Sequence, residues 1–190
     1  MSILNFQKPD KILLQKATDF HGQFEFKPLE PGFGQTIGNS LRRILLSSLE
    51  GYAISAIRIA GVDHEFSSIP GVVEDVVDII LNIKQIRLKS AVKGDKATEH
   101  QIYITISGQD EFRAKDIESR TNMFKVMNPE LLICKMEPSV NLELEMTITK
   151  GRGYVPAEEN MPENAPIGVI PVDAIYTPLK KVSYHVSNTR

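Results

Sequence analysis

The residue types best suited to chemistry are scattered along this 190-residue chain. Four histidines stand at positions 21, 64, 100 and 185, without the short spacings that let imidazoles share a metal. His64-Glu65 opens like the zinc-hydrolase motif HExxH, but the second histidine would fall at position 68, which is Ser68. No carboxylates cluster as a catalytic magnesium site requires. Gly151-Arg152-Gly153 has the look of a small phosphate-cradling loop, yet it lacks the lysine and hydroxyl spacing of a P-loop. Two glycines around an arginine read better as a turn with a packing role. Cys134, the sole cysteine, sits in the apolar run Leu131-Leu132-Ile133-Cys134. It cannot form an internal disulfide, and no base accompanies it, so it reads as a small buried hydrophobe. The expectation is no catalytic residue, no metal and no cofactor.

Basic residues are the next candidates. Arg42-Arg43, Lys84 with Arg87 and Lys89, and Lys180-Lys181 could form a basic face, which makes a small nucleic-acid-binding module the alternative reading. A net charge of −2 and the absence of tryptophan weigh against it. Apolar residues at 42% and charged residues at 24% are ordinary for a chain that buries a core. The start, MSILNFQKPD, has no basic region followed by an apolar core, and no apolar run approaches the roughly 20 residues of a membrane span. A soluble, cytoplasmic protein is expected.

The elements that must position these groups are mostly strands. Alternating apolar and polar residues predict strands at Ile12–Thr18, Gly22–Leu29, Tyr52–Ala60, His100–Ser107, Asn141–Lys150, Val169–Tyr176 and Lys180–Val186. The first two flank a short turn and form a hairpin. In Tyr52–Ala60, strict alternation puts Ile54, Ala56 and Arg58 on one face and Ala53, Ser55, Ile57 and Ile59 on the other. Only two helices are expected. One lies within Gly32–Leu49. The other is Gly71–Ile86, where Val72, Val73, Val76, Ile79, Ile80 and Ile83 form an apolar stripe. Its acids Glu74, Asp75 and Asp78 come first and Lys84 and Arg87 last, as the helix dipole favours. Loops are expected at Lys93-Gly94-Asp95-Lys96, at Gly108-Gln109-Asp110 and at Ala157–Pro166. The fold class is α+β.

At about 100° per residue, the first helix has two distinct sides. Phe33, Ile37, Leu41, Ile44, Leu45 and Ser48 gather on one, and an ordinary amphipathic helix would bury them against its own sheet. Leu46 lies roughly opposite Ile37, with Asn39, Arg42 and Arg43 around that side. Leucine beside arginine is the composition of an interface anchor, although a solvated or phosphate-binding arginine pair fits the spacing too.

The stretch Gly32–Gly51, GFGQTIGNSLRRILLSSLEG, resembles the signature of the bacterial RNA polymerase alpha subunits. Further similar segments follow in order. They include Gly61-Val62-Asp63-His64-Glu65-Phe66, Ile79-Ile80-Leu81-Asn82-Ile83-Lys84, Gly151-Arg152-Gly153-Tyr154-Val155-Pro156, Pro166-Ile167-Gly168, Val172-Asp173-Ala174 and Tyr176-Thr177-Pro178.

The resemblance implies a discontinuous dimerisation subdomain, residues 1–50 and 171–190, with an inserted β-rich subdomain at 51–170. It implies a non-catalytic subunit of DNA-directed RNA polymerase that forms a homodimer and recruits the beta and beta-prime subunits. Omega and sigma join them in the complete complex. It assigns Phe33, Ile37 and Ile44 to the dimer interface, Arg43 and Leu46 with Arg42 to beta, and Lys84 and Val172 to beta-prime. The family continues beyond this sequence into a further helix, a linker and a separate DNA-binding domain. Promoter DNA would therefore be contacted mainly outside these residues.

Overall fold

The computed structural model describes residues 8–92, 97–161 and 165–188. The expected loop at Lys93-Gly94-Asp95-Lys96 lies outside them, as do residues 162–164 of the expected Ala157–Pro166 loop. The chain is α+β and divides into two compact units, Met1–Leu46 with Lys181–Arg190, and Ser47–Lys180.

In the first unit, β1 (Lys11–Thr18) and β2 (His21–Lys27) form an antiparallel hairpin over Asp19-Phe20. Ile12 pairs with Phe26 and Leu14 with Phe24, so four apolar side chains share one face of the ribbon. Gly32, at φ 86°, turns the chain into α1 (Phe33–Ser47), whose first N–H, from Phe33, donates to the Glu30 carbonyl at 3.1 Å. The strand expected at Lys180–Val186 is absent. This returning segment pairs with no strand among the described residues. It lies along α1 instead.

The second unit is built on an antiparallel sheet of order β5-β9-β3-β4-β7, with β11 also paired to β3. These strands are β3 (Glu50–Ile59), β4 (Leu88–Ser90), β5 (Glu99–Ser107), β7 (Phe124–Val126), β9 (Asn141–Arg152) and β11 (Val169–Pro171). A bulge shifts the β3–β9 register between Ile54 and Ala56. It corrects the expected alternation: Ile54 joins Ile57 and Ile59 in the core, while Ala53 packs with Ala174 and Tyr176. A bulge absorbs one residue and so flips every side chain beyond it. The freed Ser55 carbonyl accepts the Val172 N–H at 2.8 Å.

Helix α2 covers only Val76–Ile83, not Gly71–Ile86. Asp75 caps it, its carboxylate accepting the Asp78 N–H at 2.8 Å. Residues 71–74 are drawn instead to β8 (Leu132–Lys135) and the residue after it. Val72 bridges Met136, the Val73 N–H donates to the Lys135 carbonyl, and the Glu74 carboxylate accepts the Lys135 N–H. Val73 consequently leaves the expected stripe and is 77% exposed, whereas Val76, Ile79 and Ile83 are buried. Two further helices stand where none was expected, α3 (Ala114–Arg120) and α4 (Ala157–Asn160), the latter within the expected loop. Strands β6 (Glu111–Arg113), β8, β10 (Tyr154–Val155) and β12 (Ala174–Ile175) complete the unit. The strand expected at Val169–Tyr176 is thus split into β11 and β12 by Val172 and Asp173.

Candidate functional site

None of the described residues of the first unit is buried, and α1 contains no buried residue at all. Three directions around α1 account for its composition. Gly34 and Gly38, one turn apart, form the seat for the returning segment. A Cβ on Gly34 would stand 2.7 Å from Val186, and one on Gly38 would stand 2.4 Å from the Tyr184 ring. Tyr184 Oη donates to Gln35 Oε1 at 3.1 Å, and Arg42 Nε donates to the Val182 carbonyl at 3.2 Å. Leu41, Leu45 and Leu46 are half-buried.

The second flank carries apolar side chains. Phe33 is 39% exposed and Ile44 54%, with Ile37 half-buried between them. The third direction carries Asn39 and Arg43, both exposed. The two arginines point in different directions. Arg42 ties the unit together, and Arg43 stands about 100° further round the helix. The seat for Tyr184 and Val186 was missed in the sequence, although the four-residue spacing of Gly34 and Gly38 is a signal of close backbone approach.

In the second unit, Lys84 closes α2, and its Nζ lies 3.1 Å from Asp173 Oδ2. The same carboxylate accepts the Ala157 N–H at 2.9 Å and the Tyr154 hydroxyl. The Ala157 amide first, and Lys84 and Tyr154 after it, hold the Asp173 carboxyl below the usual carboxylate range. Val172 is a core residue at 1% exposure, with its N–H bonded to Ser55 and its carbonyl to Asn160 Nδ2 at 2.7 Å. Its side chain offers no surface of its own. Its backbone bonds anchor the segment next to Asp173.

The motifs weighed for catalysis have structural settings. Gly51 and Gly151 pair across β3 and β9, and Tyr176 crosses directly over them. Gly153, at φ 63°, gives its carbonyl to the N–H groups of Tyr176 and Thr177. The Gly151-Arg152-Gly153 segment is thus the floor of a chain crossing. Arg152 itself pairs with Glu50 at 2.7 Å. Nδ1 of His64 lies 3.2 Å from the Ser67 hydroxyl. Among the described residues, no group of three or more His, Cys, Asp or Glu is placed to hold a metal. Cys134 is fully buried, and burial, with Glu74 adding to it, pushes its thiol up to about 12. Iodoacetamide is therefore expected to leave Cys134 unmodified in the native protein at pH 8 and to modify it in urea, as mass spectrometry of the intact chain would record.

A cleft of about 370 Å³ lies on the outer face of the sheet, bordered by Arg58, Asp63, Tyr103, Glu143 and Glu145. Tyr103 Oη donates to Glu145 at 2.9 Å, and Arg58 faces the same carboxylate at 3.9 Å, so its central groups answer one another. Several of the basic residues weighed for nucleic acid are also engaged. Arg42 and Lys84 have the partners described above, and Arg87 Nη1 donates to the Lys84 and Ile86 carbonyls. No helix among the described residues is long and apolar enough to cross a membrane.

The chain belongs to the RNA polymerase Rpb3/RpoA insert domain family, whose model matches residues 57–177. Over all 190 residues it is 57% identical to the DNA-directed RNA polymerase subunit alpha of Cytophaga hutchinsonii and 56% identical to that of Flavobacterium psychrophilum. Identity to the subunit of the same name from Salinibacter ruber is 45%. In each case the chain spans 57% of the relative's length.

Proposed function

We propose that this chain is the assembly platform of a DNA-directed RNA polymerase, pairing with a second copy and recruiting the beta and beta-prime subunits without itself carrying an active site. The observation that carries the proposal is a unit with no buried residue among the described ones around an amphipathic helix. A helix of this kind gains stability by packing its apolar stripe, and a contiguous solvent-exposed apolar stripe marks an interface. Phe33, Ile37 and Ile44 form the surface for the second copy, helped by the exposed hairpin face that includes Ile12, Leu14 and Phe24. The unit Met1–Leu46 with Lys181–Arg190 serves dimerisation, and Ser47–Lys180, which holds Val172, Ala174 and Tyr176 in its core, is the inserted subdomain.

Arg43, with Leu46 beside it and Arg42 holding the helix in place, is the beta-facing anchor. Lys84 and the strand break at Val172 face beta-prime. In full-length alpha, Arg43→Ala should leave the dimer mass unchanged and weaken capture of purified beta about 10- to 30-fold, the loss of one interface arginine. Light scattering and a beta titration measure the two effects separately. A normal alpha–beta affinity for the variant would overturn the beta assignment.

A further inference from the structure

We infer that Asp173 is a positioning residue for the Lys84 surface, acting through Lys84 and not by touching the partner itself. The inference rests on the proposed role of Lys84 in recruiting beta-prime and adds the group that makes this lysine usable. A lysine on four rotatable bonds is a poor anchor, because each bound geometry costs side-chain entropy. Here that freedom is already restricted. Asp173 Oδ2 holds Lys84 Nζ at 3.1 Å, and both side chains remain partly exposed, at 29% and 27%.

The carboxylate is itself immobilised from two other elements. The Ala157 N–H at the start of α4 donates to Oδ1 at 2.9 Å, and the Tyr154 hydroxyl of β10 donates to the same group. Asn160, at the far end of α4, locks the neighbouring Val172 carbonyl at 2.7 Å. Val172 is buried and also bonded to the Ser55 bulge, so the position of Asp173 is tied to the centre of the sheet. Burial alternates without interruption from Ile170 to Tyr176, so Asp173 lies on the side opposite the buried Val172 and Ala174.

An ammonium has three N–H donors. One is spent on Asp173, which leaves two for a partner. The surface is suited to carbonyl or carboxylate oxygens on the partner, presented where Asp173 fixes the ammonium.

The test uses full-length alpha with Lys84→Ala, Asp173→Asn and the double variant, each titrated with purified beta-prime in the presence of beta. Asp173→Asn keeps an oxygen for the Ala157 N–H and removes the charge that holds Lys84. It is expected to weaken beta-prime capture about 5-fold while the alpha dimer and its beta affinity stay unchanged. The double variant should be no weaker than Lys84→Ala alone, because Asp173 acts through the lysine. Tyr154→Phe, which leaves the core intact, should give a smaller loss of about 2-fold and serves if Asp173→Asn misfolds. Wild-type capture by Asp173→Asn, or full additivity with Lys84→Ala, would overturn the inference. If Lys84→Ala itself binds beta-prime normally, the beta-prime reading fails instead, and the two failures are distinguished.

Discussion

Replacing Gly51 with alanine is expected to destabilise the second unit by about 3 kcal/mol or more, the upper end of what overpacking costs. The added Cβ would fall 1.9 Å from the Tyr176 carbonyl oxygen and 2.9 Å from its carbon. These are backbone atoms, so no rotamer change relieves the clash. Either the crossing strand lifts away or β3 moves out of register with β9, and the Tyr176 hydrogen bond to the Gly153 carbonyl is put at risk. Gly151→Ala meets the Tyr176 ring at 2.5 Å. The ring can tilt, but its hydroxyl is held 2.7 Å from Thr149 Oγ1, so about 1–3 kcal/mol is expected. Gly61→Ala provides the contrast. Nothing lies within 4 Å of its Cβ, and only its φ of 78° resists a side chain, at about 1–2 kcal/mol. Urea unfolding of the three variants, followed by circular dichroism, should rank them in that order. A Gly51→Ala protein as stable as Gly61→Ala would refute the crossing geometry.

The second large effect concerns association. Ile44→Asp should convert full-length alpha from dimer to monomer at micromolar concentration, a loss of at least about 100-fold in dimer affinity, or roughly 3 kcal/mol. Ile44 is 54% exposed in the single chain, so the carboxylate costs the monomer little. In the dimer the same group would be desolvated without a partner, and in a symmetric interface this happens twice. Sedimentation equilibrium measures the mass, and circular dichroism establishes that the monomer keeps its secondary structure. An undiminished dimer would remove α1's exposed flank from the interface. Arg43→Ala, more than 100° away around the helix from Ile37, should leave that mass untouched, so the pair of variants separates the two faces.

Much of this was legible from spacing alone. The period of 3.6 placed α1 within one or two residues of its limits, and the alternation in β5 and β9 matched their ends closely. Three-residue strands such as β4, β6 and β7 contain too few positions to display a period. Helix α3 buries only Ala114 and Ile117, too little for a stripe. Residues 71–74 looked helical because valines and acids satisfy a helical pattern locally, whereas their partners, Lys135 and Met136, lie some 60 residues on. Such long-range pairings override local preference. The candidate surfaces were similarly half legible. The division of α1 into apolar and arginine sides could be read from a helical wheel. That Arg42 is occupied, and that Val172 is buried while Asp173 does the holding, depends on contacts about 140 and 90 residues apart.

The crossing of Tyr176 over Gly51 also bears on the order in which the chain takes shape during synthesis. The grip of Arg42 on Val182 closes a loop of 140 residues, which an unfolded chain would have to search for. Once the second unit has folded, Gly51 and Tyr176 are already side by side, and the remaining search spans only the few residues on either side of that neck. A folded insert would thus leave the returning segment only a short search to its seat at Gly34 and Gly38.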